Sequence, residues 1–208
     1  MNTNIYLIRH GESEYNKYSA HLIGGQSNHV SLTEEGVKQA TLLGEYLLKH
    51  NIKFDKVYAS PAVRAVETAK IAMNITGHPL EEIILSDQLL ELDQGKWVGK
   101  NREDAYNTET RKMIKADPWN FSAPGGESQR EVEERMLEFI TENILNKNYG
   151  RVAIFGHGLA IKCTFRGIMG SHPKLTYKIT LDNTSITEFV YDGCDLDLVR
   201  LNDTSHLR

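Results

Sequence analysis

The chain has 208 residues, with 24 Lys and Arg against 28 Asp and Glu, a formal net charge of −4, eight histidines and two cysteines. Apolar residues make up 40% and charged residues 25%, which suits one domain with a real core and excludes a disordered, fibrous or disulfide-scaffold protein. The balance lacks the basic face expected of a nucleic-acid binder and no run approaches the ~20 apolar residues of a membrane helix, yet a few placed arginines could still hold a small anionic substrate.

The four apolar residues before Arg9 are too few for a signal peptide. Residues 5–8 predict a strand buried on both faces. Thr33 predicts a helix N-cap with Glu34 and Glu35 in the first turn, and Val37, Ala40, Gly44, Leu47 and Leu48 keep helical spacing to about residue 50. Residues 57–59 predict a second buried strand. Ser60 then reads as a cap, with Pro61 at the first position of a helix running to about Asn74. A third strand is expected at 83–85. The stretch 91–126 is the least regular and reads as an insertion that caps a site within a single domain spanning 1–208. A helix follows over about 127–146, with Val132, Met136, Phe139, Ile140 and Ile144 on one stripe. Residues 152–155 predict another buried strand, and a helix opens at His157 or Gly158 and reaches Met169. Around Asp192-Gly193, residues 185–191 and 195–201 alternate as a hairpin at a sheet edge. From Asn202 onward the chain reads as a polar tail. Strands alternating with helices predict an α/β fold with a mainly parallel sheet covered on both sides. Cys163 and Cys194 are far apart and outside any metal or redox spacing, so both read as buried, reduced thiols in a cytoplasmic protein.

In an open α/β sheet, ligands bind beyond the carboxyl ends of the strands. Arg9-His10-Gly11 follows the first strand, Gly156-His157-Gly158 follows the fourth, and Ser60 to Arg64 follow the second. Two histidines and two arginines thus emerge near predicted helix starts, where free backbone N–H groups favour an anion. Arginine forks match phosphate oxygens, and a histidine flanked by arginines is disfavoured as a cation and so stays a neutral nucleophile. Glu91, opening the insertion, is the best candidate for the acid that protonates a leaving oxygen. The other six histidines read as incidental. No Gly-x-Ser-x-Gly elbow or Gly-x-x-x-x-Gly-Lys loop is present, so neither esterase nor nucleotide-kinase chemistry is indicated.

Arg9-His10-Gly11-Glu12-Ser13 with Asn16, Ser60-Pro61-x-x-Arg64-Ala65-x-x-Thr68-Ala69, Glu91 with Gly95, Trp97 and Gly99, Pro124-Gly125-Gly126-Glu127-Ser128, and His157-Gly158 occur in that order. Together they resemble the histidine phosphatase superfamily, also called phosphoglycerate-mutase-like. The resemblance covers about residues 5–186. It implies a three-layer α/β/α fold with a mostly parallel mixed sheet. It also implies that His10 forms a phosphohistidine, that Arg9, Arg64 and His157 hold the phosphate, and that Glu91 donates the proton. Asn16, Gly24, Gly25 and Gly158 would line the substrate side, with no metal or other cofactor. Three departures stand out. Gly156 replaces the usual Ser or Thr before the second His, and Val98 replaces a usual Glu. Glu91-Leu92-Asp93-Gln94-Gly95 departs from the Glu-Arg-x-Tyr-Gly of the mutases and is more like the phosphatase branch.

The expected function is therefore metal-independent phosphomonoester hydrolysis on a small phosphorylated substrate by a monomer or homodimer. The alternatives are a 2,3-bisphosphoglycerate-dependent phosphoglycerate mutase and, further off, an inert phosphate-binding module. Specificity is expected in the insertion, where Lys96, Lys100, Arg102, Arg111, Lys112, Lys115 and Trp119 could meet a substrate.

Overall fold

The computed structural model describes residues 2–208. Its six strands are β1 (Thr3–Arg9), β2 (Lys56–Ala59), β3 (Ile83–Leu85), β4 (Arg151–Gly156), β5 (Ile186–Tyr191) and β6 (Leu196–Asp203). They form one sheet in the order β3-β2-β4-β1-β5-β6, the first four parallel, β5 antiparallel to β1 and β6 antiparallel to β5. The seven α-helices are α1 (Glu14–Tyr18), α2 (Glu34–Lys49), α3 (Val63–Thr76), α4 (Arg102–Ala105), α5 (Thr108–Ala116), α6 (Gln129–Asn143) and α7 (Gly158–Ile168). The expected three-layer α/β/α architecture is what the chain adopts.

Alternation along β1 builds the two cores. Ile5 and Leu7 face α6 and α7, packing with Val132, Met136, Phe139, Ile140 and Ile161. Tyr6 and Ile8 face α2 and α3, packing with Leu43, Leu47, Ala69, Ala72 and Met73. Register then places the chemistry. The parallel pairing of β1 with β4 sets Arg9 opposite Gly156, so the residues that follow, His10 and His157, leave the sheet side by side. The pairing of β2 with β4 sets Ala59 opposite Phe155, which brings Ser60 to the same edge.

Several expectations are corrected. β3 is an edge strand with Ile84 and Leu85 exposed, because nothing pairs beyond it. The buried stripe of α2 is Gly36, Ala40, Leu43, Gly44 and Leu47, while Val37 and Leu48 face outward. The helix after β2 starts at Val63 with Ala62 as its cap residue; Ser60 is held in the turn before it. α6 is shorter than expected because the Ser128–Glu131 capping box starts it and the chain leaves helical geometry at Ile144. The polar tail is not a tail: β6 reaches Asp203, and a 3₁₀ turn at Ser205–Leu207 buries His206. Cys163 is buried, but Cys194 is exposed, and both are free thiols. Among the described residues, no helix is long and apolar enough to cross a membrane.

Candidate functional site

His10 leaves β1 with its backbone N–H bonded to Gly156 O at 3.0 Å, so the sheet fixes its Cα. Its Nδ1 lies 2.7 Å from Gly11 O. A carbonyl only accepts, so Nδ1 carries the proton and Nε2 the lone pair. Arg64 Nε donates to that Nε2 at 3.2 Å. The His10 imidazole is held well below its ordinary range by burial and by the charges of Arg64 and Arg9. It is therefore neutral at pH 7, with its Nε2 electron pair accepting from Arg64.

Arg64 sits on the first turn of α3, only 5% exposed. Four of its five N–H groups are engaged: beside Nε, Nη1 donates to Ser27 O at 2.9 Å, and Nη2 to Gln26 O at 3.2 Å and His157 Nδ1 at 3.1 Å. A guanidinium cannot accept, so His157 Nδ1 is the acceptor and its Nε2–H donates to Ser60 Oγ at 2.8 Å. His157 is fully buried behind Arg64 and, like His10, is kept neutral by burial and the Arg64 charge. The two imidazoles lie edge to face, 5.2 Å apart.

Arg9 reaches round the end of the sheet and donates from Nη1 to Leu181 O at 2.6 Å. Its Nε is buried with no hydrogen-bond partner among the described residues, and a Cβ on Gly158 would stand 3.3 Å from it. Glycine at 158 thus leaves room for the guanidinium over the start of α7. Glu91 faces the same helix end. Its Oε1 accepts from Leu92 N at 2.9 Å and Ala160 N at 3.0 Å, and its Oε2 accepts from Leu159 N at 3.1 Å. A carboxylate oxygen can accept twice, so Oε2 keeps a free lone pair. The Glu91 backbone is gripped from below: Arg135 donates to Glu91 O and Gln88 O and pairs with Glu127 at 2.9 Å.

These groups border a cavity of about 460 Å³. His10, Arg9, Arg64 and Glu91 line it, together with Lys162, one turn into α7, and Tyr15, Arg102, Tyr106 and Tyr177. Four cations, Arg9, Arg64, Arg102 and Lys162, against the one carboxylate of Glu91 in its lining make it locally positive although the chain is net acidic. Among the described residues, no cluster of three or more His, Cys, Asp or Glu is arranged to hold a metal ion.

Most residues picked from the sequence meet here. His157 does so indirectly, as a support for Arg64 rather than part of the cavity wall. Asn16, Gly24 and Gly25 line the cavity, each with a local reason as well. Asn16 Oδ1 closes the capping box that starts α1. A Cβ on Gly24 would press on the Tyr15 ring at 3.0 Å, and Gly25 sits at φ +51 against Gln94. Of the insertion's cations only Arg102 borders this cavity, while Arg111 lines an adjoining one. Trp119 stacks on Arg166, its ring centroid 3.5 Å from the guanidinium carbon, so it braces α7 rather than meeting a ligand. The sequence reading missed Lys162, Arg135, the Ser60 hydroxyl as a partner of His157, and the carbonyls of Gln26, Ser27 and Leu181. Backbone acceptors have no residue signature, and only the i+4 step from Gly158 could have flagged Lys162.

A family description, histidine phosphatase superfamily (branch 1), matches residues 5–204. Phosphoserine phosphatase 1 of Hydrogenobacter thermophilus is 27% identical over 98% of this chain and 93% of its own. The 2,3-bisphosphoglycerate-dependent phosphoglycerate mutase of Parvibaculum lavamentivorans is 33% identical over 76% of each chain. Among solved structures, phosphoserine phosphatase from Entamoeba histolytica, crystallised with 3-phosphoglyceric acid, superposes with a TM-score of 0.81 at 28% identity, covering 99% of this chain and 100% of that one. With nearly its whole length matched and enzymes of both kinds among its relatives, the chain belongs to the histidine phosphatase superfamily.

Proposed function

We propose that the protein hydrolyses phosphomonoesters through a phosphohistidine on His10, without a metal. The observation that carries this is the His10 tautomer. Nδ1–H is tied to Gly11 O, and the Nε2 lone pair, kept neutral by burial and two arginines, faces the cavity end where Arg64 stands.

When substrate enters, Arg64 Nε–H passes from Nε2 to a phosphoryl oxygen, and Arg9 Nε takes another. The Nε2 pair forms the N–P bond as the P–O bond to the leaving group breaks, and Glu91 Oε2, which takes up the proton carried in by the monoanionic ester, gives it to the leaving oxygen. In the second half, Glu91 takes a proton from water, the water oxygen bonds to phosphorus, and the N–P bond breaks to free phosphate. Arg9, Arg64 and Lys162 offset the charge on the transferring group. Residues 91–126 act as a cap, contributing Glu91, Leu92, Gln94, Arg102 and Tyr106 to the cavity.

The test is hydrolysis of p-nitrophenyl phosphate, with phosphoserine and 3-phosphoglycerate as the first natural esters to try. His10→Ala should lose nearly all activity and excess EDTA should leave the rate unchanged. Full activity in the variant would refute the proposal. A second reading rests on the mutase relative: the same site could return the phosphoryl group to a phosphoglycerate. Rapid 3- to 2-phosphoglycerate interconversion with little free phosphate would select that reading instead.

A further inference from the structure

Residues 202–206 stand directly behind the site. The contact runs through segment 181–185, which leads into β5 and grips Arg9, the last residue of β1, and His10, the residue after it. Arg9 donates from Nη1 to Leu181 O and from its backbone N to Ser185 O at 3.2 Å. The carbonyl of His10 accepts from Asn183 Nδ2 at 3.0 Å and from Thr184 N at 3.3 Å.

This segment is clamped from the far side by the end of β6 and the turn beyond it. Asn202 Oδ1 accepts from Asp182 N at 2.7 Å, and Asn202 Nδ2 donates to Asp182 Oδ2 at 2.8 Å. His206 Nε2 meets Thr184 Oγ1 at 2.9 Å. Thr184 Oγ1 spends its own proton on Asn183 O at 2.7 Å, so His206 is the donor. The ring is buried between Thr184 and Tyr46 of α2, whose centroid is 6.0 Å away. Burial holds its pKa below the ordinary value, with Asp203 opposing.

Thr184 is fully buried at φ +57. That left-handed region is strained for a β-branched residue, so it persists only where neighbours over-determine it. Released, Thr184 would relax toward extended geometry and carry its N–H away from His10 O.

We propose that His206 is a positioning residue for the phosphate site: through Thr184 Oγ1 it locks segment 181–185, and that segment fixes where Arg9 and His10 stand. The inference rests on the roles given above to Arg9 and His10. His206 itself touches no substrate.

The test is a set of four variants, His206→Ala, His206→Gln, Thr184→Gly and the His206→Ala/Thr184→Gly double. For each, kcat and KM are measured on p-nitrophenyl phosphate, binding of inorganic phosphate by calorimetry, and Tm by circular dichroism. His206→Ala should lower kcat about tenfold and weaken phosphate binding several-fold, because displacing an attacking group by even a fraction of an ångström is costly. His206→Gln places an amide donor near the same position and should recover kcat to within about threefold of the parent. Thr184→Gly removes the acceptor and frees the backbone there to leave that conformation, so segment 181–185 loses its lock; it should show the same fall, and adding His206→Ala should lower kcat no further, since coupled residues are non-additive.

A His206→Ala protein with parental kcat and phosphate affinity, even if less thermostable, would overturn the proposal. So would losses that multiply in the double variant, or no rescue by glutamine. If His206→Ala does not fold, Thr184→Gly decides alone, and parental kcat there overturns it. If the parent protein shows no phosphatase activity, the functional reading fails, and the phosphate affinities still decide the positioning role.

Discussion

The loop that carries His10 rests backbone to backbone on the start of α2, and Gly36 is where they touch. A Cβ at Gly36 would fall on the carbonyl oxygen of Glu12, far inside the 3.0 Å that real Cβ contacts respect. Gly11 faces it from the other side, where a Cβ would lie 2.7 Å from Gly36 O. The interface has no flexible side chain to yield. Thr33 N and Oγ1 bond to Glu12, and Gln39 Oε1 accepts from Glu12 N at 2.8 Å. In Gly36→Ala one backbone must therefore move by about 1 Å, and close packing passes that shift to residues 10–13. A displacement of that size costs up to about 10²-fold in rate, on top of a stability loss of about 1–3 kcal/mol from overpacking. Gly44→Ala is the control. Its Cβ would meet Ile75 and Ala72 at 2.9–3.0 Å, so it strains the α2–α3 contact on the same helix without touching the loop. Both variants should lower Tm in thermal unfolding, and only Gly36→Ala should lower kcat on p-nitrophenyl phosphate, by at least about tenfold. A folded Gly36→Ala protein with parental kcat, or a Gly44→Ala protein that loses as much, would refute the reasoning.

Three further outcomes are expected. Glu91→Gln should slow alkyl phosphates by about 10²–10⁴-fold and p-nitrophenyl phosphate much less, because a nitrophenolate needs no proton to leave; equal losses on both would argue against Glu91 as the acid. Trp119→Ala should lower stability by about 1–2 kcal/mol through the lost stack on Arg166 and leave kcat unchanged, as chemical denaturation and steady-state rates will show. Stability should also fall with acid. His10 and His157 have folded pKa values well below their unfolded ones, so below about pH 6.5 the unfolded chain binds protons that the folded one refuses. Each histidine then removes up to about 1.4 kcal/mol per pH unit until its folded pKa is reached, and neither contributes above pH 7. Urea unfolding of His157→Gln should show a shallower loss between pH 6.5 and 5; an unchanged slope would mean that His157 is not buried neutral.

Much of the site was legible because parallel strands announce themselves as short apolar runs, and such sheets bind ligands where those runs end. That logic located Arg9, His10, Arg64 and His157. Register did the rest, since β1 and β4 deliver their histidines together only if Arg9 lies opposite Gly156. Ser60 shows the limit. Its place before a proline reads as a helix cap, and in the structure the hydroxyl faces His157 instead. The 202–206 region was opaque for a related reason. Its polar residues look solvated until the antiparallel pairing of β6 with β5 brings them back against segment 181–185, a non-local contact with no periodic signature. Gly36 was hidden because its neighbour, Glu12 O, is a backbone atom that any residue supplies.

The most direct test of the account is the covalent intermediate. Protein mixed with a ³²P-labelled phosphomonoester and quenched within milliseconds should carry acid-labile, base-stable phosphate. Mass spectrometry should place it on His10, and it should be absent from His10→Ala. A parent protein that hydrolyses the ester yet never becomes labelled on His10, or that carries the label on another residue, would contradict the central claim.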